Sequence, residues 1–565
     1  MKKTLLICLI LFLTSPSWAE NYLLNGGQDS RISYRMTQNV KPSAGTRKLI
    51  LSYVLPQSFE SPTYNQKIDD LKLDFLPRPA RQERKVDQRG NKIIEVTWEA
   101  PLQPVKIEIR LTAINNVHLT RISTQASFPL SGLPRQVKTY LASSKLADTR
   151  DGDIKTMARQ LTAEARSEFD AVQRILTWVV DHMHYVLMPP RFDASYSFKS
   201  GKGNCQNYSH LAAALMRSVG IPVRIVNGIT LKKPYDINIR EKFFTVKMAE
   251  GRHAWIEVYF PDLGWMPFDP SSTEFFVSNR YIRIEVGLDN DETGKDGLMR
   301  WTQTRGVAGK PQFDEHIVSD FVTDHIDFSA QKMNYGPRKL LLCPPVEAPF
   351  SKISPPPTPP PPVAVPKKQL QRLEYSEPYM TGNLEFPINE DFLSLHGPAR
   401  QASDGTITMR KNFLVETAEY VTTRGQQYAQ TFILKKPVMI SIIGLALHKF
   451  NNEGQLWMEI YKDKNGKPDK YVATSNMRNL DKIRFTPGYD WVDFGFSGRP
   501  VILSPGRYWM ALGFTGGPII NWFFSYGKPV GPQNGTRYKT MFDDTWSRSL
   551  SFEFNYRVMG LTTAQ

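Results

Sequence analysis

Between Pro344 and Pro366, eleven of twenty-three residues are proline, with Pro359 to Pro362 in a row. Proline fixes φ and lacks an amide donor, so such a stretch belongs neither in a helix interior nor in the middle of a sheet. It favours polyproline II, at ~3.1 Å per residue, and is expected to act as a semi-rigid spacer outside any core. The chain is thereby expected to divide into blocks that each bury their own apolar surface. At about 100 to 200 residues per domain, its length allows three or four.

The other end of the chain bounds the setting. Lys2 and Lys3 precede an apolar run from Leu5 to Leu13, and Ser17-Trp18-Ala19 places small residues where a signal peptidase reads. Residues 1–19 are expected to be a cleaved signal peptide and the mature chain periplasmic or secreted. The run is about half of the ~20 residues that span a bilayer, and no later stretch nears that length, so no transmembrane segment is expected in the mature chain. Cys8 lies inside the run rather than after a small residue at its end, which argues against a lipid-anchored cysteine. Without Cys8 the chain keeps only Cys205 and Cys343. A disulfide framework would need many more, and a single bridge between these two would consume the Cys205 thiol, so Cys205 is expected to be free. The formal charge is +16, of which Lys2 and Lys3 supply two. Outside the cytoplasm a basic surface favours anionic envelope polymers, lipid headgroups or acidic substrates. Recognition helices, zinc spacings and basic runs interleaved with aromatics are lacking in the sequence, so nucleic acid is not an expected partner.

From about Tyr22 to Ala142 the apolar period is two. Val105, Ile107, Ile109 and Leu111 point one way, and Lys106, Glu108, Arg110 and Thr112 the other, as in a strand with one buried face. Residues 20–143 are expected to form an N-terminal β-rich sandwich. The basic residues from Arg78 to Lys92, around Gln88-Arg89-Gly90-Asn91, read as a solvated hairpin tip.

Near Asp153 the period lengthens. Ile154, Met157, Ala158 and Leu161 have helical spacing behind an Asp153 cap, and Ser167-Glu168-Phe169-Asp170 resembles a capping box opening a second helix. His182 and His184 close that helix two residues apart; they do not share a helical face and read as exposed or locally bonded rather than as metal ligands. A third helix begins at or just before Cys205 and runs to about Val219, where Gly220 and Pro222 stop it. In the strand that follows, Ala254, Ile256, Val258 and Phe260 form one face, and His253, Trp255, Glu257 and Tyr259 the other. The Pro261-Asp262-Leu263-Gly264 turn leads into a hairpin partner ending at Asp269. Residues 144–343 are expected to form a central α+β domain.

After the 344–366 linker, residues 367–565 read as a C-terminal two-sheet sandwich or jelly roll, with strands near Ile440 to Leu447, Leu456 to Tyr461, Trp491 to Phe496 and Tyr508 to Phe514. Trp457, Trp491, Trp509, Trp522 and Trp546 lie here, either as core or as a platform for sugar rings that would give this block polysaccharide binding. Asp463, Asn465 and Asp469 lack the closing Glu of an EF-hand loop and read as a polar turn. No metal or cofactor is expected.

The chemistry concentrates at Cys205, in Gly201-Lys202-Gly203-Asn204-Cys205-Gln206-Asn207-Tyr208-Ser209. A free thiol, with a pKa of about 8.5, is only slightly ionised at neutral pH, and attack on an amide needs the thiolate. A helix N-terminus contributes partial positive charge, and an imidazole can take or hold the proton. His253 is placed to be that imidazole, and Asp269 to orient it. Gly201 and Gly203 are expected to let backbone and substrate approach closely, with the Cys205 amide facing a developing oxyanion.

The segment resembles the transglutaminase-like superfamily in three blocks in order: Gly203-Asn204-Cys205 with Tyr208-Ser209 and Gly220-Ile221-Pro222-Val223-Arg224; His253-Ala254-Trp255-Ile256-Glu257; and Gly264-Trp265-Met266-Pro267-Phe268-Asp269-Pro270. The match runs from about Leu141 to Ser272. The resemblance implies a papain-related α+β fold, an acyl-enzyme mechanism, and Cys205 as nucleophile, His253 as base and acid, and Asp269 as orienter. It implies a protein or peptide substrate, here expected to be envelope-associated. Water or an amine remains open as acceptor, with hydrolysis of peptide or isopeptide bonds expected first and Gln-Lys crosslinking as the alternative. A glycan-binding protein on an inactive scaffold is the reading from another class.

Overall fold

The computed structural model describes residues 21–333 apart from 186–188, 232, 234, 240–241, 247–250, 272–275 and 308; residues 341–343 and 346–347; and residues 375–563 apart from 384–394, 397–399, 410, 413–418, 423–425, 451–452, 484–489, 497–500, 517, 519, 526–535, 541–544 and 551–552. The expected signal peptide and most of the proline tract lie outside these residues. Within the tract, Val346 and Glu347 pair in parallel with Ile122 and Ser123. Those two residues of the expected linker therefore join a sheet.

At the centre is an antiparallel four-stranded sheet in the order Gly264–Phe268, Gly251–Phe260, Val223–Thr230, Tyr281–Gly287. Its helices are Gly152–Thr162, Glu168–His182, Ala194–Ser200 and Cys205–Ser218. Their apolar stripes, among them Ile154, Val172, Ile175, Leu211 and Leu215, meet Ile225, Ile256, Val258 and Phe268 in one core. The second helix starts at Ser167, whose side chain accepts from the Asp170 amide. The first starts earlier than its apolar spacing suggests. Asp151, not Asp153, is the cap and accepts from the amides of Asp153 and Ile154, because the side chain must stand two or three residues before the donors it satisfies. The short helix Ala194–Ser200 has too few residues to show a period.

The other face of this sheet is covered by the N-terminal strands. Val226, Trp255, Tyr281 and Val286 pack with Leu24, Tyr64, Val117 and Leu119. Glu257, on that face, is fully buried and paired with Arg224 (2.5 Å) and Arg283 (2.6 Å). The Phe59 ring lies 4.4 Å from the Arg283 guanidinium carbon and 5.8 Å from that of Arg224.

The N-terminal strands form two sheets. Val105–His118 shows the expected alternation, with Val105, Ile107, Ile109 and Leu111 inside. It pairs with Asn21–Lys41, which pairs on its other side with Gln312–Met333. In the facing sheet, Thr46–Leu55 pairs with Leu298–Gln303. Strands from the expected 144–343 block thus join both N-terminal sheets, and Leu298–Gln303 pairs on its other side with Ile407–Met409 of the expected 367–565 block, so the divisions anticipated at 143 and at 367 are both crossed by hydrogen bonding. The reason is geometric: a two-layer sandwich accepts strands from anywhere in the chain, and the register is decided by the inward face, not by sequence proximity.

In the C-terminal part, two sheets share a core that includes Ile443, Leu445, Met458, Met510, Trp522 and Phe554. The strands expected from sequence occur as Val438–Lys449, Gln455–Lys464, Asp490–Gly495 and Gly506–Thr515. Trp522 is core and stacks on Phe554 at 4.0 Å. Trp509 and Trp546 are buried in a smaller cluster with Ala429 and Ala511. Of the expected platform, Trp457 is half-buried, its indole lying against Gly513. Asp463 accepts from the Trp509 indole (2.7 Å) and, through its other oxygen, from the Gly466 amide (3.4 Å), which ties it to the hairpin turn.

Removing one partner of a buried charge network leaves the others desolvated and unpaired. Glu257→Ala is expected to destabilise the chain by about 3–5 kcal/mol, read by urea unfolding. A loss below about 1 kcal/mol, the range of exposed pairs, would show that water reaches Arg224 and Arg283.

Candidate active site

Cys205 is the first residue of its helix, and the polar residues around it build that start. The Asn204 side chain caps the helix by accepting from the Gln206 amide at 3.1 Å, and Asn207 reaches back to accept from the Asn204 amide at 3.2 Å. Asn207 also donates to the Arg191 carbonyl and the Ser197 hydroxyl, fixing the helix start against the segment before it. This explains the glycines differently from the sequence expectation. A Cβ at Gly203 would stand 2.2 Å from the Asn207 Cβ. Gly201 has φ +63°, ends the Ala194–Ser200 helix in the left-handed region, and passes against the His182 carbonyl. Gly203 thus serves the cap of the Cys205 helix, and Gly201 the end of the helix before it. His182 is a local structural residue, stacked on Trp178 and bonded through Nε2 to the Phe198 carbonyl at 2.7 Å.

His253 lies on Gly251–Phe260, and Asp269 directly follows the paired strand Gly264–Phe268, so the hairpin between them sets their spacing. Nε2 of His253 is 2.8 Å from Oδ2 of Asp269, and Cys205 lies close enough to the imidazole to influence its charge. With Nε2 committed to the carboxylate, Nδ1 is the nitrogen left for sulfur. Ser209, one turn along the Cys205 helix, donates to the Ala254 carbonyl at 3.2 Å and ties that helix to the histidine strand. The three residues expected from the sequence are thus brought together. Cys205 is 0 % exposed, His253 8 % and Asp269 2 %. Cys205 is a free thiol.

Two further residues, not anticipated from sequence, hold Asp269. Ser271 donates to Oδ1 through both its amide (2.9 Å) and its hydroxyl (2.7 Å). Tyr281 donates its hydroxyl to Oδ2 at 2.5 Å. The Ser271 contact has a sequence signal, since an Asp side chain commonly bonds the amide two residues on. Tyr281 has none.

Burial by itself disfavours the imidazolium. Against it stand the facing Asp269 carboxylate, the nearby Cys205 sulfur and the hydrogen bond to Asp269, which together hold His253 well above the ordinary histidine value. Burial likewise pushes the Asp269 carboxyl up, but the facing His253 charge and the hydrogen bonds from His253, Ser271 and Tyr281 bring it below the usual carboxylate range. A buried imidazolium between a carboxylate and a thiol can donate a proton to a leaving group and recover one from an incoming nucleophile.

The scan against protein families matches residues 155–270 to the transglutaminase-like superfamily. That segment is a transglutaminase-like core. Among curated relatives, the uncharacterized YebA protein of Bacillus subtilis is 27% identical over 135 residues, covering 22% of this chain and 18% of that protein. A protein-glutamine gamma-glutamyltransferase of Pseudomonas aeruginosa is 28% identical over 146 residues, covering 24% of this chain and 20% of its own. The chain therefore spans about a fifth of the length of either. A crystal structure provisionally described as a cysteine protease, from Cytophaga hutchinsonii, aligns over 55% of this chain and 100% of its own, with 15% identity and a TM-score of 0.40. Among the described residues, no helix is long and apolar enough to cross a membrane.

The raised His253 and lowered Asp269 values fix the sign of a pH effect. Asp269 contributes stability above the ordinary carboxylate value of about 4, lost as pH falls through its lowered value; His253 contributes stability below about pH 6.5, lost as pH rises through its raised value. The pair is therefore worth most between about pH 4 and 6.5. Asp269→Asn is expected to lower the His253 titration midpoint, followed by NMR of the imidazole protons, and to cost most stability within that window. An unchanged midpoint would show that Asp269 does not hold the proton on His253.

Proposed function

We propose that this chain is a thiol enzyme that acts outside the cytoplasm on amide bonds of protein or peptide substrates through an acyl-enzyme on Cys205, with water as the acceptor. The observation that carries this reading is the His253 imidazole bonded to Asp269 and brought beside Cys205 at a helix N-terminus. The Cys205 sulfur attacks the amide carbon; the C–N bond breaks as His253 protonates the departing amine, leaving a thioester. His253 then takes a proton from water, whose oxygen displaces sulfur to release a carboxylic acid and restore the site. The oxyanion formed in each step is assigned on this reading to the helix start, with the Cys205 amide as its donor. Asp269 keeps the imidazole oriented through both steps.

The extracytoplasmic setting rests on the Lys2-Lys3, Leu5 to Leu13 and Ser17-Trp18-Ala19 pattern, and the basic composition supports an anionic, envelope-associated substrate. A second acceptor is favoured by the relative named a protein-glutamine gamma-glutamyltransferase: a primary amine attacking the same thioester would join a glutamine side chain to a lysine.

Incubation of the purified full chain with a glutamine-rich protein, with and without a fluorescent primary amine, separates these outcomes. Peptide or ammonia release without incorporation supports hydrolysis, and incorporation supports acyl transfer. In either case Cys205→Ala is expected to abolish product and His253→Ala to reduce it by about 10²–10⁴. Product formation at the wild-type rate by Cys205→Ala would sink the reading.

A further inference from the structure

The strand Tyr281–Gly287 is the last of the central sheet and pairs on one side with Val223–Thr230. On its other side, among the described residues, it meets side chains rather than a strand. Asn115 donates to the carbonyls of Asn279 (3.1 Å) and Tyr281 (2.7 Å), and the Tyr64 hydroxyl also donates to the Tyr281 carbonyl (2.7 Å). Gln66 donates to the Arg283 carbonyl (2.9 Å) and accepts from the Arg283 amide (2.8 Å). Asn91 does the same with Val286, at 2.8 and 2.9 Å. Gln28 accepts from the Asn279 amide at 3.0 Å. A carboxamide carries the donor and acceptor of a peptide unit, so these side chains satisfy the open edge as a neighbouring strand would. All of them are buried, so the bonds they make have no water to replace them.

The N-terminal strands thereby fix the backbone of the residue whose side chain enters the site. Tyr281 is 1 % exposed, its ring edge-on to Trp255 (centroids 5.2 Å, planes at 90°) and to His253 (5.5 Å, 69°). Its hydroxyl ends on Oδ2 of Asp269, the same oxygen that faces Nε2 of His253. Ser271 holds only Oδ1, so Tyr281 is the contact that fixes the working oxygen.

We propose that Tyr281 is a positioning residue for the Asp269–His253 pair and that the amide side chains of the N-terminal strands hold Tyr281 in place, so that the N-terminal sheets complete the active site. This rests on the reading of Cys205, His253 and Asp269 as the working set. A shift of Asp269 transmits directly to the imidazole, and displacements of an ångström or less at such a group are costly.

The test uses the full chain and a small electrophile, iodoacetamide, with alkylation of Cys205 read by peptide mapping between pH 5 and 9 and thermal unfolding measured alongside. Tyr281→Phe is expected to slow alkylation at neutral pH by about tenfold and move its onset to higher pH, as an imidazolium less firmly held supports the thiolate less well. Asn115→Ala is expected to act in the same direction by about threefold, since Tyr64 still caps the Tyr281 carbonyl. A Tyr281→Phe chain with the wild-type rate and onset, whatever its thermal stability, overturns the proposal. If only Asn115→Ala and Gln66→Ala match wild type, the part assigned to the N-terminal strands is overturned. If Tyr281→Phe does not fold, those two variants decide. Failure of the underlying reading looks different: wild-type Cys205 would then react no faster than in His253→Ala.

Discussion

A four-stranded sheet has two faces and two edges, and a buried ion pair can stand at its end only if each of these is closed. Here the helices close one face with the apolar stripes of Glu168–His182 and Cys205–Ser218, and the N-terminal strands close the other over Trp255 and Val226. The edge at Tyr281–Gly287 is closed by carboxamide side chains in place of backbone. Without that second layer Glu257, Arg224 and Arg283 would face water, and Tyr281 would lose the contacts that fix its backbone. The transglutaminase-like superfamily match covers residues 155–270, yet the packing of that segment draws on N-terminal residues from Leu24 onward.

Closure also sets the electrostatics. In a dry site each charge must be answered by another or by hydrogen bonds, because desolvation would otherwise neutralise it. His253 keeps its proton because Asp269 and Cys205 face it, and Asp269 keeps its charge because His253, Ser271 and Tyr281 all donate to it. The same rule shapes the opposite end of the sheet face, where one carboxylate, Glu257, serves two guanidinium groups. The His253–Asp269 pair and the Glu257 network are here two uses of one enclosed surface.

Much of this was legible in single residues with their near neighbours. Ser167 three residues before Asp170 announces a helix start because a cap and its donor are close in sequence, whereas Asn204 emerged as the cap of the Cys205 helix only in the structure. The alternation in Val105–His118 announces its buried face because period two is a local property. The glycines before Cys205 were legible as glycines but not in their purpose: Gly203 makes room for Asn207, which turns back toward Ser197. Tyr281 carried no signal, since its meaning lies in a carboxylate twelve residues away and in amides from the N-terminal strands.

The sequence by itself determined the setting of Cys205, the helix that begins at it, the hairpin that carries His253 and Asp269, and the two-fold period of the outer strands. These follow from local propensity, capping and side-chain alternation, which act over a few residues. Tertiary structure alone decided that Gln312–Met333, Leu298–Gln303 and Ile407–Met409 would join the N-terminal sheets, that Glu257 would be shared, and that Tyr281 would reach Asp269. Those outcomes depend on which surfaces and edges remain open after the local elements form, and on burial making each unsatisfied polar group too costly to leave alone.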